Sequence, residues 1–179
     1  AEILRGKKIA IVIGHGIIQQ KYGLHALGAI LNLSLMTGSL GFAGAGVYVA
    51  AKESNQLGAM DMGAAPELLP GRQLLGNDAL RKKWEKNWKT NISPDPGLNT
   101  VSMLEAAEKG HLKALYIMGE NPLRALPEPE RVKKALKNLD FIVVQDILNS
   151  ETANIADIVL PGASLSEKEG SVTNLEGRI

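Results

Sequence analysis

The feature that most limits the folds open to this chain is the rhythm of residues 114–178, where three apolar runs each empty into a polar turn. Residues 114–118 lead into Gly119-Glu120-Asn121-Pro122, and residues 141–144 lead into Gln145-Asp146. Residues 158–160 run into Pro161 and the charged knot Glu167-Lys168-Glu169-Gly170. Between them, residues 129–138 read as a helix and residues 150–155 as a short one. Strands alternating with helices predict a parallel sheet with right-handed crossovers and helices on both faces. Ligands in such sheets sit beyond the carboxyl ends of the strands, so three strand ends tipped with hydrogen-bonding groups predict a ligand-binding rim.

The upstream half fits the same class. Residues 7–13 form a β-branched run that reads as a buried strand stopped by Gly14. Residues 22–36 carry Leu24, Leu27, Leu31 and Leu35 at helical spacing, with Gly38 placed as a C-terminal cap. Gly41, Gly44 and Gly46 then lead into extended chain at Val47-Tyr48-Val49. Residues 50–72 show no clear period and read as a long loop, the start of an irregular, charged excursion over residues 50–97. Within it, residues 78–89 read as a helix with Trp84 and Trp88 one turn apart, and Ser93-Pro94-Asp95-Pro96-Gly97 breaks the chain. Asn99 or Thr100 caps a helix over residues 101–109 that ends at Gly110. The expected fold is a single α/β domain over residues 1–179, three-layered, with a mainly parallel, dinucleotide-binding-like sheet.

Composition narrows function further. A chain of 179 residues suffices for a full core between layers. Nineteen Gly and only 4% aromatic residues favour backbone-lined sites over an aromatic pocket. A net charge of +1 argues against broad capture of nucleic acid or acidic lipid. With no Cys, disulfides, Cys nucleophiles and cysteine-ligated metal or iron–sulfur sites are excluded within these residues. The longest apolar stretches fall short of the roughly 20 residues of a membrane span, and no signal peptide opens the chain. The lack of an initiator Met and the abrupt end at Ile179 predict a piece of a longer chain.

Several motifs admit two readings. Gly14-His15-Gly16 lies between strand and helix like the first half of a dinucleotide fingerprint, but Gln19 stands where the third glycine belongs. The pair either turns the chain or lets backbone N–H groups and Gln19 face a ligand at a helix start. Of His15, His25 and His111, none has metal-ligand spacing, and only His15 is placed for ligand contact. Asn121 is either an ordinary turn residue or an amide that donates and accepts to a ligand. Asp146 is either a helix cap or a carboxylate accepting two parallel N–H bonds from a guanine edge. Lys168 either sits in a solvated charge cluster or meets a nucleotide. The basic run of residues 81–89 is either a nucleic-acid patch or, given Glu85 and the Trp spacing, a docked surface helix.

Taken in order, IGHGIIQQKYG, LMTGSLGFAGAGV, NQLGAMDMGAAPELLPG, PGLNTVSMLEAAEKGHLKALYIMGENP and the final segment from VVQD to LEGR resemble the molybdopterin oxidoreductase superfamily. Within it the chain is most similar to formate dehydrogenase catalytic subunits. The resemblance implies a domain gripping one guanosine nucleotide of a bis-molybdopterin guanine dinucleotide cofactor that carries molybdenum or tungsten. It implies that His15 and Gln19 touch the cofactor near its pterin, that Asn121, Gln145 and Asp146 hold the guanosine end, and that Lys168 adds a polar contact. It also implies a cytoplasmic parent enzyme whose 4Fe-4S cluster, metal-ligating residue and final cofactor-covering domain lie elsewhere. Its partners would be those other domains and iron–sulfur electron-transfer subunits, with neither nucleic acid nor membrane insertion. The segment alone is expected to have no turnover. Where formate dehydrogenases show an Arg-Gly-Gln-Asn-Asn type stretch, this chain reads Ala51-Lys52-Glu53-Ser54-Asn55-Gln56. The alternative is the related large iron–sulfur subunit of NADH–quinone oxidoreductase, which keeps the fold and commonly lacks the pterin.

Overall fold

The computed structural model describes residues 2–4, 6–50 and 53–179; Ala51 and Lys52 of the stretch just quoted lie outside the described residues. The chain is α/β with parallel sheets and helices, consistent with a three-layer domain. It divides into two compact units, one of residues up to Asp61 together with Ser171–Ile179, the other Met62–Gly170.

In the first unit, β1 (Ala10–Gly14) pairs in parallel with β2 (Gly46–Ala50), Ala10 opposite Gly46 and Gly14 opposite Ala50. The connection carries α1 (His15–Ile18) and α2 (Gly23–Met36). β1 was expected to be buried, yet only Ile13 is buried and Val12 is 71% exposed. Successive strand side chains point to opposite faces, so one face of β1 is packed and the other open. The leucine stripe of α2 is likewise not its packed face. Leu24 and Leu35 are exposed, while Gly23 and Ser34 are buried. The packed side runs through residues 23, 27, 30 and 34 and shares only Leu27 with the stripe, its two buried positions being the small Gly23 and Ser34. Gly38 ends the helix as expected, with φ 62° and its N–H donating to the Leu35 carbonyl at 2.9 Å.

Residues 53–72 are more ordered than their sequence suggests. α3 (Gln56–Asp61) follows Asn55, which has φ 63° and accepts from the Thr173 N–H at 2.9 Å through Oδ1. Asn tolerates the left-handed region better than other non-glycine residues, and its amide ties the C-terminal segment to this turn.

The second unit opens with a short antiparallel hairpin, β3 (Leu68–Leu69) and β4 (Gln73–Leu74). α4 (Asp78–Trp88) starts under Asn77, whose side chain accepts from the Ala79 and Leu80 N–H groups. Trp84 Nε1 donates to Gln73 Oε1 at 3.1 Å, and Arg81 pairs with Asp78 at 2.7 Å. The docked-helix reading of this basic run accords with that anchoring. The excursion expected to be irregular is thus built from capped, paired elements whose partners lie outside any one periodic window.

The remainder follows the expected order. α5 (Thr100–Glu108) is capped by Asn99, β5 is Ala114–Met118, α6 is Pro122–Ala125 and α7 is Pro129–Lys137. β6 (Phe141–Asp146) and β7 (Ile158–Pro161) complete a parallel sheet in the order β5-β6-β7. One face of that sheet packs Ile117, Ile142 and Val144 against Val132 and Leu136 of α7 and against Ala153. Arg131 of α7 grips Glu108 of α5 through two donors, at 2.6 and 3.0 Å.

Candidate functional site

The rim forms where β5, β6 and β7 end. Gly119 continues the β5 ladder, its N–H donating to the Gln145 carbonyl at 2.8 Å, and its φ of 63° turns the chain away from the sheet. A left-handed residue costs little as glycine, which places Asn121 just beyond the strand with Pro122 opening α6.

Asn121 has both sides of its amide engaged. Nδ2 donates to Glu151 Oε2 at 2.5 Å, and Oδ1 accepts from the Thr152 hydroxyl at 2.7 Å. Thr152 is fully buried, and its Oγ1 accepts from the Leu123 N–H at 3.4 Å. N–H donors from its own backbone and from Asn121 hold the Glu151 carboxyl below the usual carboxylate range, aided by nearby Arg124.

Gln145 and Asp146 were expected to lie in a turn after β6. Instead the strand runs through both, with Gln145 opposite Met118 and Leu160, and Asp146 opposite Pro161. Alternation along a strand therefore sends their side chains to opposite faces, so the two are not brought together. Gln145 Oε1 accepts from the Tyr116 hydroxyl at 2.6 Å, and Nε2 reaches the Pro161 carbonyl at 3.4 Å. Asp146 Oδ1 accepts from the Ile147 N–H at 2.7 Å. Its second oxygen has no partner among the described residues.

β6 and β7 close on each other just past their ends. The Gly162 N–H donates to the Asp146 carbonyl at 2.8 Å, and a Cβ on Gly162 would sit 3.1 Å from the Asp146 carbonyl carbon. Seven residues on from Pro161, Lys168 is exposed and makes no hydrogen bond or ion pair among the described residues. Neighbouring Glu167 is not a free charge of the knot. It caps a helical turn over Leu165–Glu167, accepting from the Ser164 N–H at 2.8 Å, and that bond lowers its pKa.

His15 and Gln19 belong to the first unit. His15 opens α1, but Gln19 closes that single turn, its N–H donating to the His15 carbonyl at 3.0 Å. Gln19 therefore does not stand at a helix start, and a four-residue turn has little dipole to offer an anion. Neither Gly14 nor Gly16 has a positive φ, and no atom lies within 4 Å of a Cβ built on either. Among the described residues nothing demands glycine there, and both positions are exposed.

These groups suit an organic nucleotide. The rim offers one carboxylate with a spare oxygen and an oriented amide, complementary to a base edge with paired N–H donors, and the chain beyond β7 adds the exposed Lys168 ammonium. Among the described residues no three His, Asp or Glu side chains converge as a metal ligand set, and no helix is long and apolar enough to cross a membrane. Sequence reasoning missed Thr152, Glu151, Gly162 and Asn55. Only tertiary contacts distinguish them from residues of ordinary turns.

In a parallel α/β sheet the edge beyond the carboxyl ends of the strands is where ligands bind, and that edge here carries the polar groups just described. The chain belongs to the molybdopterin oxidoreductase family, whose model matches residues 1–179. It is 43% identical over 173 residues to the F420-dependent formate dehydrogenase subunit alpha of Methanocaldococcus jannaschii, covering 97% of this chain and 25% of that protein. Formate dehydrogenase H of Escherichia coli is 37% identical over 170 residues, covering 94% of this chain and 24% of that enzyme. A subunit of an NADH-quinone oxidoreductase from Rhizobium meliloti is 42% identical over 125 residues, covering 70% of this chain and 15% of that protein. The chain thus spans a quarter or less of the length of these curated relatives.

Proposed function

We propose that this chain grips the guanosine nucleotide arm of a bis-molybdopterin guanine dinucleotide cofactor in an enzyme that oxidises formate and passes electrons to iron–sulfur clusters. The observation that carries the reading is Asp146. It is a carboxylate at the carboxyl end of β6 with one oxygen steadied by a backbone N–H and the other open. A guanine edge supplies two adjacent N–H donors, and adenine does not. Asn121 orients the nucleoside, Gln145 lines the opposite face of the strand end, and Lys168 brings positive charge toward a sugar or phosphate. His15 and Gln19 contact the pterin across the open backbone at Gly14 and Gly16. The cofactor's molybdenum or tungsten centre supplies the two-electron redox chemistry when bound, while these residues bind and orient. The formate dehydrogenase relatives support the substrate, and the 179 residues alone are expected to show no turnover.

A second reading draws support from the amides. Asn121 and Gln145 each have both ends of the amide already engaged within the chain, as suits a cofactor-free scaffold of the kind suggested by the NADH–quinone oxidoreductase relative. Calorimetric titration with GMP and AMP separates the two. The cofactor reading expects weak binding that favours GMP by about tenfold or more, since hydrogen bonds to a charged group contribute roughly 1.5–3 kcal/mol. Asp146→Asn should erase that preference. Equal affinity for AMP refutes Asp146 as a base reader, and metal and pterin near zero in the natively purified full-length protein favour the scaffold.

A further inference from the structure

We propose that Thr152 and Glu151 act as a polarity lock on Asn121, fixing which edge of its amide a ligand meets. This rests on the reading of Asn121 as a nucleoside contact. An Asn amide can turn over, exchanging its oxygen and nitrogen with little change of shape. Here two neighbours oppose the exchange for independent reasons.

The first is the Thr152 hydroxyl, which has one proton to give. Its Oγ1 accepts from the Leu123 N–H and gives that proton to Asn121 Oδ1, 2.7 Å away. Thr152 is completely buried, so water cannot take over its role. The second is Glu151, an acceptor only while ionised. It meets Nδ2 at 2.5 Å, and the same donors hold its carboxyl below the usual range. A turned amide would press its oxygen against the carboxylate, a repulsive contact, and would leave the buried Thr152 proton without the acceptor it now has. Both neighbours therefore favour the same orientation. What remains for a ligand is one N–H of Nδ2 and one lone pair of Oδ1, in a fixed order beyond the end of β5. Thr152 and Glu151 are therefore positioning residues that act through Asn121.

The test uses GMP as the probe and the Asn121 side-chain N–H₂ resonances as a second readout, assigned by their loss in Asn121→Asp. Thr152→Val removes the hydroxyl at constant shape, Thr152→Ser retains it, and Glu151→Gln replaces the acceptor with a group that accepts either amide orientation. The lock predicts that Thr152→Val and Glu151→Gln each weaken GMP by about 3- to 10-fold, the worth of one net hydrogen bond. It predicts that Thr152→Ser stays within about twofold of wild type, since the bond it retains is the one at stake. Slow solvent exchange of the Asn121 amide protons should persist in Thr152→Ser and collapse in the other two. Unchanged GMP affinity in both weakened variants, with wild-type binding intact, overturns the lock and leaves the guanosine reading standing. If wild type binds no GMP, the guanosine reading fails and the resonances alone decide, their insensitivity to either substitution overturning the lock. Should Thr152→Val not fold, the exposed Glu151→Gln variant decides by the same measures.

Discussion

Replacing Gly162 by Ala probes the closure that holds Asp146. Gly162 has no positive φ, so the substitution is not opposed by backbone conformation; its obstacle is space. The new methyl would lie 3.1 Å from the Asp146 carbonyl carbon and 3.3 Å from both the Asp146 oxygen and the Ile147 nitrogen, a few tenths of an ångström inside ordinary contact. All three atoms are backbone. Asp146 is held by its register with Pro161, and the Ile147 N–H is held by Asp146 Oδ1. The strain therefore falls on the 2.8 Å bond from the Gly162 N–H to the Asp146 carbonyl. Overpacking of this kind costs about 1–3 kcal/mol, offset by about 0.4–1 kcal/mol from the stiffer unfolded chain. At the middle of these ranges the net loss is about 1 kcal/mol, a fall in Tm of roughly 2–4 °C for a protein of this size. Scanning calorimetry measures it. A Tm equal to or above that of wild type refutes the reasoning.

Two further outcomes follow from single contacts. The Arg131 bonds lower the Glu108 pKa, so this ion pair contributes stability that is present above the ordinary carboxylate range and is lost as pH falls through the depressed folded value. Glu108→Gln should therefore be less stable than wild type near neutrality and converge with it on acidification, as followed by urea denaturation across pH; a gap that persists in acid contradicts the pairing. Asn55→Ala forfeits the bond to the buried Thr173 N–H and places alanine at φ 63°, together about 2–3 kcal/mol. Asn55→Gly should lose only about 1 kcal/mol, the bond alone. Faster hydrogen exchange at Thr173 in both variants checks the tether.

Local rules carried residues 99–161 well. β5 was legible because an apolar pentad meets Gly119, and α5 because Asn99 and Gly110 bracket it. The family was legible as well, since five motifs in fixed order need no coordinates. Residues 50–72 were not legible. α3 depends on Asn55 meeting Thr173, 118 positions away, and the β3–β4 hairpin is too short to show a period. The α2 leucines correctly identified a helix, but periodicity does not say which side has a neighbour to pack against.

The sequence by itself determined the class of fold, the family and the choice of polar residues at the strand ends, because those depend on side-chain chemistry and on spacing along one stretch of chain. Only the tertiary structure decided how those residues are used. Strand register parted Gln145 from Asp146 onto opposite faces, a buried threonine and a carboxylate took hold of Asn121, and Gly162 proved to be a point of backbone contact. Each of those outcomes depends on which segments meet in space, where one residue of register turns a side chain from one face to the other.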